Sequence, residues 1–296
     1  MTPAPPTAPA IDLTDRPFGV HFRMARWKSL IVLVAVPLLL LVVQILVFQI
    51  VVLVEGPPDP RMPRLTPLAI LAAGVSTAIT ALVATVLVAR LAKVSWRSVF
   101  RRDRTFDKRR LGAYLVASAV LVGLSVLATA LIAPGSTGWG ALDISTTTIV
   151  VILVTLLATP LQAAGEEVAF RGVVVPAAAS WFRAVRPAIA LGIVVSGALF
   201  AVVHVSLDPW LVSYLFVFSA CTVIMGLLSG GLEAAIAFHV SNNVIAGIVN
   251  AVFADGGAAT IDRAVGAGPG PSLIILMVMN VAVVIAVWLI ERRRRP

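Results

Sequence analysis

The stretch of sequence that decides the fold is TTTIVVILVTLLATPLQAAGEEVAFR, residues Thr146–Arg171. Its first part, Thr146–Gly165, contains no charged residue. It has the length of a membrane-spanning helix, which needs about 20 apolar residues. Two adjacent glutamates, Glu166 and Glu167, follow it directly, and Arg171 comes one helical turn later. The stretch therefore predicts a membrane helix that ends in a group of ionisable side chains.

The rest of the chain is equally apolar. Of its 296 residues, 59% are hydrophobic and 12% are charged, whereas an average soluble domain carries about 25% charged residues. A soluble fold of this size could not bury so much apolar surface. Besides Thr146–Gly165, seven stretches are long enough to span a bilayer: Leu30–Val54, Pro67–Ala89, Leu111–Ala133, Pro187–Val205, Trp210–Leu228, Leu232–Phe253 and Pro271–Ile290. We therefore predict an all-α, polytopic transmembrane bundle of about eight spans, residues 29–296, after a short N-terminal tail, residues 1–28, whose start is disordered.

Basic residues account for the formal net charge of +9 and lie between the apolar stretches. They are dense in Arg90–Arg110 and again in Arg292–Arg295. This placement is typical of juxtamembrane segments that contact anionic lipid headgroups, and it does not favour nucleic acid as a partner. Because basic connections stay in the cytoplasm, we expect a multi-pass cell (plasma) membrane protein with both termini cytoplasmic.

The carboxylate pair is the first of three polar motifs at membrane depth, where ionisable side chains are costly and mark functional sites. Glu167 and Arg171 have the i, i+4 spacing of a helical ion pair, whereas Glu166 points about 100° away around the helix. This division gives one structural carboxylate and one that is free to act as a base. The alternative is an ordinary surface ion pair at a cytoplasmic helix end.

The other two motifs contain histidine. Phe200 and His204 share one face of a helix, and His239 and Asn243 share a face of another. Taken alone, each pair is also explained by polar packing between helices. Together with the carboxylates they contain the parts of a hydrolytic site, namely a base for water, an imidazole and donors for an oxyanion.

In chain order, these residues match the motifs EExxxR, FxxxH and HxxxN. The ordered triple resembles the CPBP family, also called the Abi or type II CAAX prenyl endopeptidase family of intramembrane proteases. The resemblance covers about residues 145–250, the motif core. It implies an eight-span helical protein with a cytosol-facing cavity that hydrolyses a peptide bond in a membrane-associated peptide or protein. Prenylated substrates are a feature of eukaryotic members, and nothing in this sequence selects them.

The resemblance also implies roles for the carboxylate motif and for Phe200. Glu166 would activate the attacking water, Glu167 and Arg171 would support it, and Phe200 would line the substrate pocket.

The histidines leave two chemistries open. By the resemblance, His204 would bind the water or a metal, and His239 and Asn243 would stabilise the tetrahedral oxyanion. Members of the family are often described as metalloproteases, and His204, His239 and Glu166 could hold zinc or another divalent ion with one open position. However, asparagine is a poor zinc ligand, and a metal-free site with a Glu base and a His/Asn oxyanion hole is chemically complete.

Two other functions use the same polar residues. A small-solute transporter would use them as a pathway, although the sequence shows no inverted repeat or matched broken helices. A non-catalytic membrane immunity or scaffold protein would keep them for folding.

Counting residues along the predicted spans places two of the predicted site residues, Glu166 and His204, far apart. Glu166 would lie near the cytoplasmic end of the fourth span and His204 near the far end of the fifth, about 25 Å away at about 1.5 Å per residue. They can meet if the fourth helix continues through Arg171, if residues 172–182 re-enter the membrane, or if the fifth span is short and tilted.

Overall fold

The computed structural model describes residues 16–58, 64–102, 104–254 and 268–294. Across these ranges the chain is helical and contains no named strand, which confirms the predicted fold class. Eight helices of the described chain are long and apolar enough to cross a membrane. We number them α1 (Arg26–Glu55), α2 (Pro67–Ala92), α3 (Lys108–Ile132), α4 (Thr146–Ala179), α5 (Val185–Val203), α6 (Pro209–Ser229), α7 (Glu233–Val252) and α8 (Leu273–Arg292).

The fourth span is the one whose predicted end was wrong. The other boundaries agree with the prediction to within a few residues, but α4 does not end at Gly165 and continues to Ala179, over 34 residues. The prediction stopped at the first charges, because charges normally mark a membrane surface. Here Glu166, Glu167 and Arg171 are buried and contact partners inside the bundle, so the helix continues past them.

A π-helical segment, Val168–Val174, separates the two α-helical parts of α4. All seven of its residues are buried. Pro176 follows shortly after it, and a proline ring does not fit against the carbonyl four residues earlier in a regular α-helix. A locally widened turn relieves this clash, and such turns are frequent at functional sites.

α4 lies at the centre of the bundle, where it packs against α2 and α7. Small residues permit the close approach to α2. A Cβ atom on Gly165 would lie 2.8 Å from the Thr77 carbonyl oxygen, and one on Gly74 would lie 2.7 Å from the Ala158 carbonyl oxygen. Packing through small residues is typical of membrane helices, and here it fixes the position of the glutamates relative to α2.

Part of the predicted N-terminal tail packs on the helices. Phe18, Val20 and Phe22 are buried, and the backbone N–H of Met24 donates to Ser180 Oγ at 3.1 Å. Residues 16–25 therefore cover the end of α4, directly before α1 begins. The predicted disorder of residues 1–10 lies outside the described residues.

Candidate active site

Glu167 is held between two partners. Its side chain is fully buried, its Oε2 lies 3.2 Å from Arg171 Nε, and its Oε1 lies 2.7 Å from His239 Nδ1. The predicted i, i+4 ion pair on α4 is therefore present. The contact to His239 adds a link between α4 and α7.

Arg171 lies in an aromatic and hydroxyl environment. Its Nε donates to Thr222 Oγ1 on α6 at 2.7 Å. The guanidinium carbon lies 4.4 Å from the ring centroid of Phe200 and 6.0 Å from those of Phe170 and Phe218. A cation over aromatic faces is stabilised by the ring quadrupoles, more so where water is excluded. Arg171 therefore ties α4 to both α5 and α6.

Glu166 has a different environment from its neighbour. Its Oε1 accepts a hydrogen bond from Gln162 Nε2 at 3.1 Å. Its Oε2 is buried, has no hydrogen-bond partner among the described residues, and lies 3.7 Å from His239 Nε2. One oxygen is thus held in place, and the other remains available beside an imidazole nitrogen.

His239 lies between the two carboxylates. Because an ionised Glu167 can only accept, His239 Nδ1 carries the hydrogen of their shared contact. This fixes the ring orientation and leaves Nε2 facing Glu166. The ring of Phe218 packs edge-on against the imidazole, with 4.7 Å between centroids. A carboxylate that orients an imidazole in this way is also found in hydrolytic triads.

Phe200 connects His204 to this group. Its ring is buried, with its centroid 5.2 Å from that of Phe170, 4.6 Å from that of His204 and 6.2 Å from that of His239. His204 follows the last residue of α5, and its Nδ1 lies 2.6 Å from the Phe200 carbonyl oxygen.

The residue after His204 has an unusual backbone conformation. Val205 has a φ of 50°, which is rare for a β-branched residue. Strained positions of this kind cluster at functional sites.

Asn243 lies one turn beyond His239 on α7. Its Oδ1 accepts a hydrogen bond from Asn242 Nδ2 at 3.0 Å. This contact orients the amide so that the Asn243 Nδ2 group keeps its donors for another acceptor.

The predicted conflict between Glu166 and His204 assumed that the fourth span ends at Gly165, whereas α4 continues to Ala179. The first of the three alternatives is correct, because the helix continues through Arg171. The expectation that Glu166 lies at the cytoplasmic helix end is wrong, since α4 extends a further 13 residues beyond it, or about 20 Å. This extension brings Phe170 of α4 against Phe200 of α5.

A comparison with protein families agrees with the motif pattern. Residues 145–245 match the model of the family described as type II CAAX prenyl endopeptidase Rce1-like. Residues 145–245, about a third of the chain, are similar to that family, and we call them the Rce1-like domain. The matched segment contains all three motifs, so the predicted resemblance is confirmed. A search of the curated proteins and a search of the solved structures returned no match.

The Rce1-like domain supports a peptidase whose substrate is a membrane-associated peptide. With the eight apolar helices, it indicates a multi-pass membrane protein.

An apolar cavity lies against α4 of the Rce1-like domain, and neither glutamate is among its lining residues. It has a volume of about 690 Å³ and is lined by parts of α2, α4 and α7, including Gly165 and Val168 on either side of the glutamate pair. A smaller cavity of about 280 Å³ shares Trp96, Phe100 and Ile236 with it. Together they form an apolar groove along α2 and α4 that reaches the connection between α2 and α3.

The residues of the domain do not fit the metal set that the family resemblance suggested. In the described part of the chain, no three His, Cys, Asp or Glu side chains are grouped as metal ligands. The nitrogens of His239 face the two glutamates. We therefore derive no step through a metal from Glu166, His204 and His239, and metal dependence stays a prediction.

Sequence reasoning missed several residues that position the motif residues. Gln162 holds Glu166 and could have been found, because it is the amide residue one turn before the glutamate in an otherwise apolar span. Thr222 and Phe218 on α6 contact Arg171 and His239. Nothing in the sequence marks these two residues as part of a site, since isolated Thr and Phe residues are ordinary in membrane helices.

Proposed function

We propose that the chain is an intramembrane endopeptidase in which Glu166 activates the water that attacks a peptide bond. One observation carries this assignment. Glu166 Oε2 is buried, has no hydrogen-bond partner within the described ranges and lies 3.7 Å from His239 Nε2. Its neighbour Glu167 already balances the charge of Arg171. Glu166 is therefore the carboxylate that is free to act as a base.

In the proposed reaction, Glu166 Oε2 takes a proton from the water while the water oxygen bonds to the peptide carbonyl carbon. The negative charge that develops on the carbonyl oxygen accepts a hydrogen bond from Asn243 Nδ2 and, when the imidazole carries a second proton, from His239 Nε2. Glu166 then returns the proton to the leaving nitrogen as the C–N bond breaks. The products are a carboxylic acid and an amine, which exchange a proton to give a carboxylate and an ammonium group, so atoms and protons balance.

His204 and Phe200 complete the proposed site. His204, held through the Phe200 carbonyl, orients the attacking water. Phe200 lines the pocket and packs on the Arg171 guanidinium. Burial contributes to catalysis, because donors and charges in a site of low dielectric stabilise developing charge more strongly than they do in water.

The apolar groove offers a binding surface on α4, the helix that also carries Glu166. Its lining residues, such as Leu82, Val86 and Leu161, favour an apolar segment of a membrane-associated peptide or protein. The end of the bundle with Arg26, Lys108 and Arg292 is the basic end, and we place it in the cytoplasm of a cell (plasma) membrane, against anionic headgroups.

The variant Glu166→Gln tests the proposal, with Glu55→Gln as a matched control. Both remove one carboxylate charge and keep the side-chain size, but Glu55 is exposed and ends α1. The substrate-independent readout is a comparison of peptide N- and C-termini in cells that contain wild-type or variant protein. Loss of the base should slow cleavage by about 100-fold or more, whereas Glu55→Gln should cleave like the wild type.

Two results would contradict this proposal. If Glu166→Gln leaves the cleaved termini unchanged in an inserted and folded protein, Glu166 is not the base. If wild-type protein changes no terminus at all, the immunity or scaffold alternative replaces the peptidase.

The metal alternative has its own test. Treatment with a divalent-metal chelator should leave cleavage intact in the metal-free mechanism. Loss of cleavage that added zinc restores would support the metalloprotease alternative.

A further inference from the structure

Arg16 is a buried cation outside the membrane helices. Its side chain is 2% exposed, and in the described chain none of its three guanidinium nitrogens, Nε, Nη1 and Nη2, has a hydrogen-bond partner. A guanidinium offers five N–H donors and stays charged in proteins. Burying it without a partner is strongly unfavourable. The arrangement therefore calls for an anion.

The surroundings of Arg16 are also positively charged. Arg102 donates to its backbone carbonyl oxygen. The Nη2 of Arg23 donates to the Ser180 carbonyl oxygen at 3.2 Å, and its Nε has no partner among the described residues. Burial, and then the charge of Arg23, lower the pKa of Arg16. Neither Arg16 nor Arg23 forms an ion pair with a described carboxylate.

The backbone around these arginines is fixed by packing. The turn after Arg16 is closed by a hydrogen bond from Val20 N to the Pro17 carbonyl oxygen at 3.1 Å. Gly19 has a φ of 84° and lies against Val175 of α4. The side chains of Phe18 and Val20 are buried on the same helix bundle. The backbone that carries Arg16 is therefore packed in a fixed position against the helices.

We propose that Arg16, with Arg23 beside it, binds a phosphate group at the basic end of the bundle. Arginine forks match phosphate oxygens in a bidentate geometry, and charge-assisted hydrogen bonds of this kind are strong. The phosphate can belong to an anionic phospholipid headgroup or be free in solution. Because Arg23 and Met24 also bond to Ser180 at the end of α4, the ligand would hold residues 16–25 on the helix that carries Glu166.

The test compares Arg16→Met with Arg26→Met in the purified full chain. Both changes remove one arginine charge near the same end of the bundle, but Arg26 is exposed. Each protein is purified in a maltoside detergent that contains no phosphate and is measured alone, with added phosphatidylglycerol, and with inorganic phosphate in the buffer. The readouts are the apparent Kd of the phosphate source and the thermal midpoint.

We expect wild-type protein and Arg26→Met to gain thermal stability from a phosphate source. Arg16→Met should lose this gain and bind the source about tenfold more weakly, as expected for one charge-assisted contact. In the phosphate-free detergent alone, Arg16→Met should be at least as heat-stable as the wild type, because an unpaired buried charge is gone. A gain only from phosphatidylglycerol assigns the site to a lipid headgroup, and a gain from inorganic phosphate assigns it to a free anion.

Other outcomes overturn the proposal. One is the absence of any gain from either phosphate source. Another is an equal loss in Arg16→Met and Arg26→Met, which would reflect general surface charge. A third is an Arg16→Met protein that is less stable than the wild type in the phosphate-free detergent alone. Arg16 would then have a partner within the chain, for which Asp12 and Asp15 are the nearest carboxylates in sequence.

Discussion

The ion pair of Glu167 and Arg171 gives the sharpest test of how α4 holds its charges inside the bundle. The two side chains are 0% and 1% exposed, with 3.2 Å between Oε2 and Nε. Glu167→Gln keeps the size of the side chain and an oxygen that can accept from His239, but it removes the negative charge. Arg171 would then be a buried cation without its counter-charge.

The magnitude of this effect follows from the burial of the pair. Removing one partner of a buried ion pair costs about 3–5 kcal/mol. Taking about 2–4 °C per kcal/mol for a chain of this size, the thermal midpoint should fall by at least about 6 °C. The double variant Glu167→Gln with Arg171→Met should recover much of this loss, because an apolar side chain of similar volume replaces the uncompensated charge.

The assay is thermal unfolding of the four proteins of this double-mutant cycle in one detergent, with Glu55→Gln as the control. The exposed control should change the free energy of unfolding by less than about 0.5 kcal/mol. Contacting residues give coupling energies of about 0.5–3 kcal/mol in such cycles. If the losses of the two single variants simply add in the double variant, Glu167 and Arg171 do not stabilise each other and the reasoning is refuted.

Two further predictions concern the neighbours of the glutamate pair. Gln162→Leu should lower kcat about tenfold with little change in KM or thermal midpoint. The reason is that Glu166 loses a positioning hydrogen bond of about 1 kcal/mol. An unchanged kcat in a cleavage assay would show that Gln162 does not position Glu166. Gly165→Ala should destabilise the protein by about 1–3 kcal/mol, since the added Cβ would lie 2.8 Å from the Thr77 carbonyl oxygen. The matched control is Gly123→Ala, whose added Cβ meets no atom within 4 Å, and it should not lower the thermal midpoint. Equal effects of the two glycine variants would contradict close packing of α2 and α4.

The number of spans followed from hydropathy because the bilayer penalises charge so strongly that most helix ends coincide with charged or loop residues. The same rule failed at Glu166. Hydropathy treats each residue alone, whereas Glu167 and Arg171 cancel each other's charge and His239 comes from another helix. The continuation of α4 to Ala179 therefore depends in part on the contact with His239, which the local sequence does not indicate.

The candidate site shows the same division between local and distant contacts. The pairing of Glu167 with Arg171 was predictable, because i, i+4 contacts within one helix depend on spacing alone. The contact between Glu167 and His239 was not, since it joins residues 72 apart in the chain. Motif order could suggest that the three helices meet, but only the fold determines which nitrogen of His239 faces which glutamate.

Two adjacent glutamates suit a hydrolytic site better than a purely structural one. A single glutamate beside Arg171 would be neutralised by it and would be a weak base. When two glutamates are present, Glu167 pairs with the arginine and orients His239. Glu166 points about 100° away around the helix. It accepts a hydrogen bond from Gln162 and keeps one oxygen unbonded within the described structure. Buried polar atoms that serve only folding are nearly always hydrogen-bonded. Other buried atoms, such as both amide atoms of Asn280, are also unbonded within the described residues, so the free oxygen of Glu166 supports the proposed base through its position 3.7 Å from His239 Nε2.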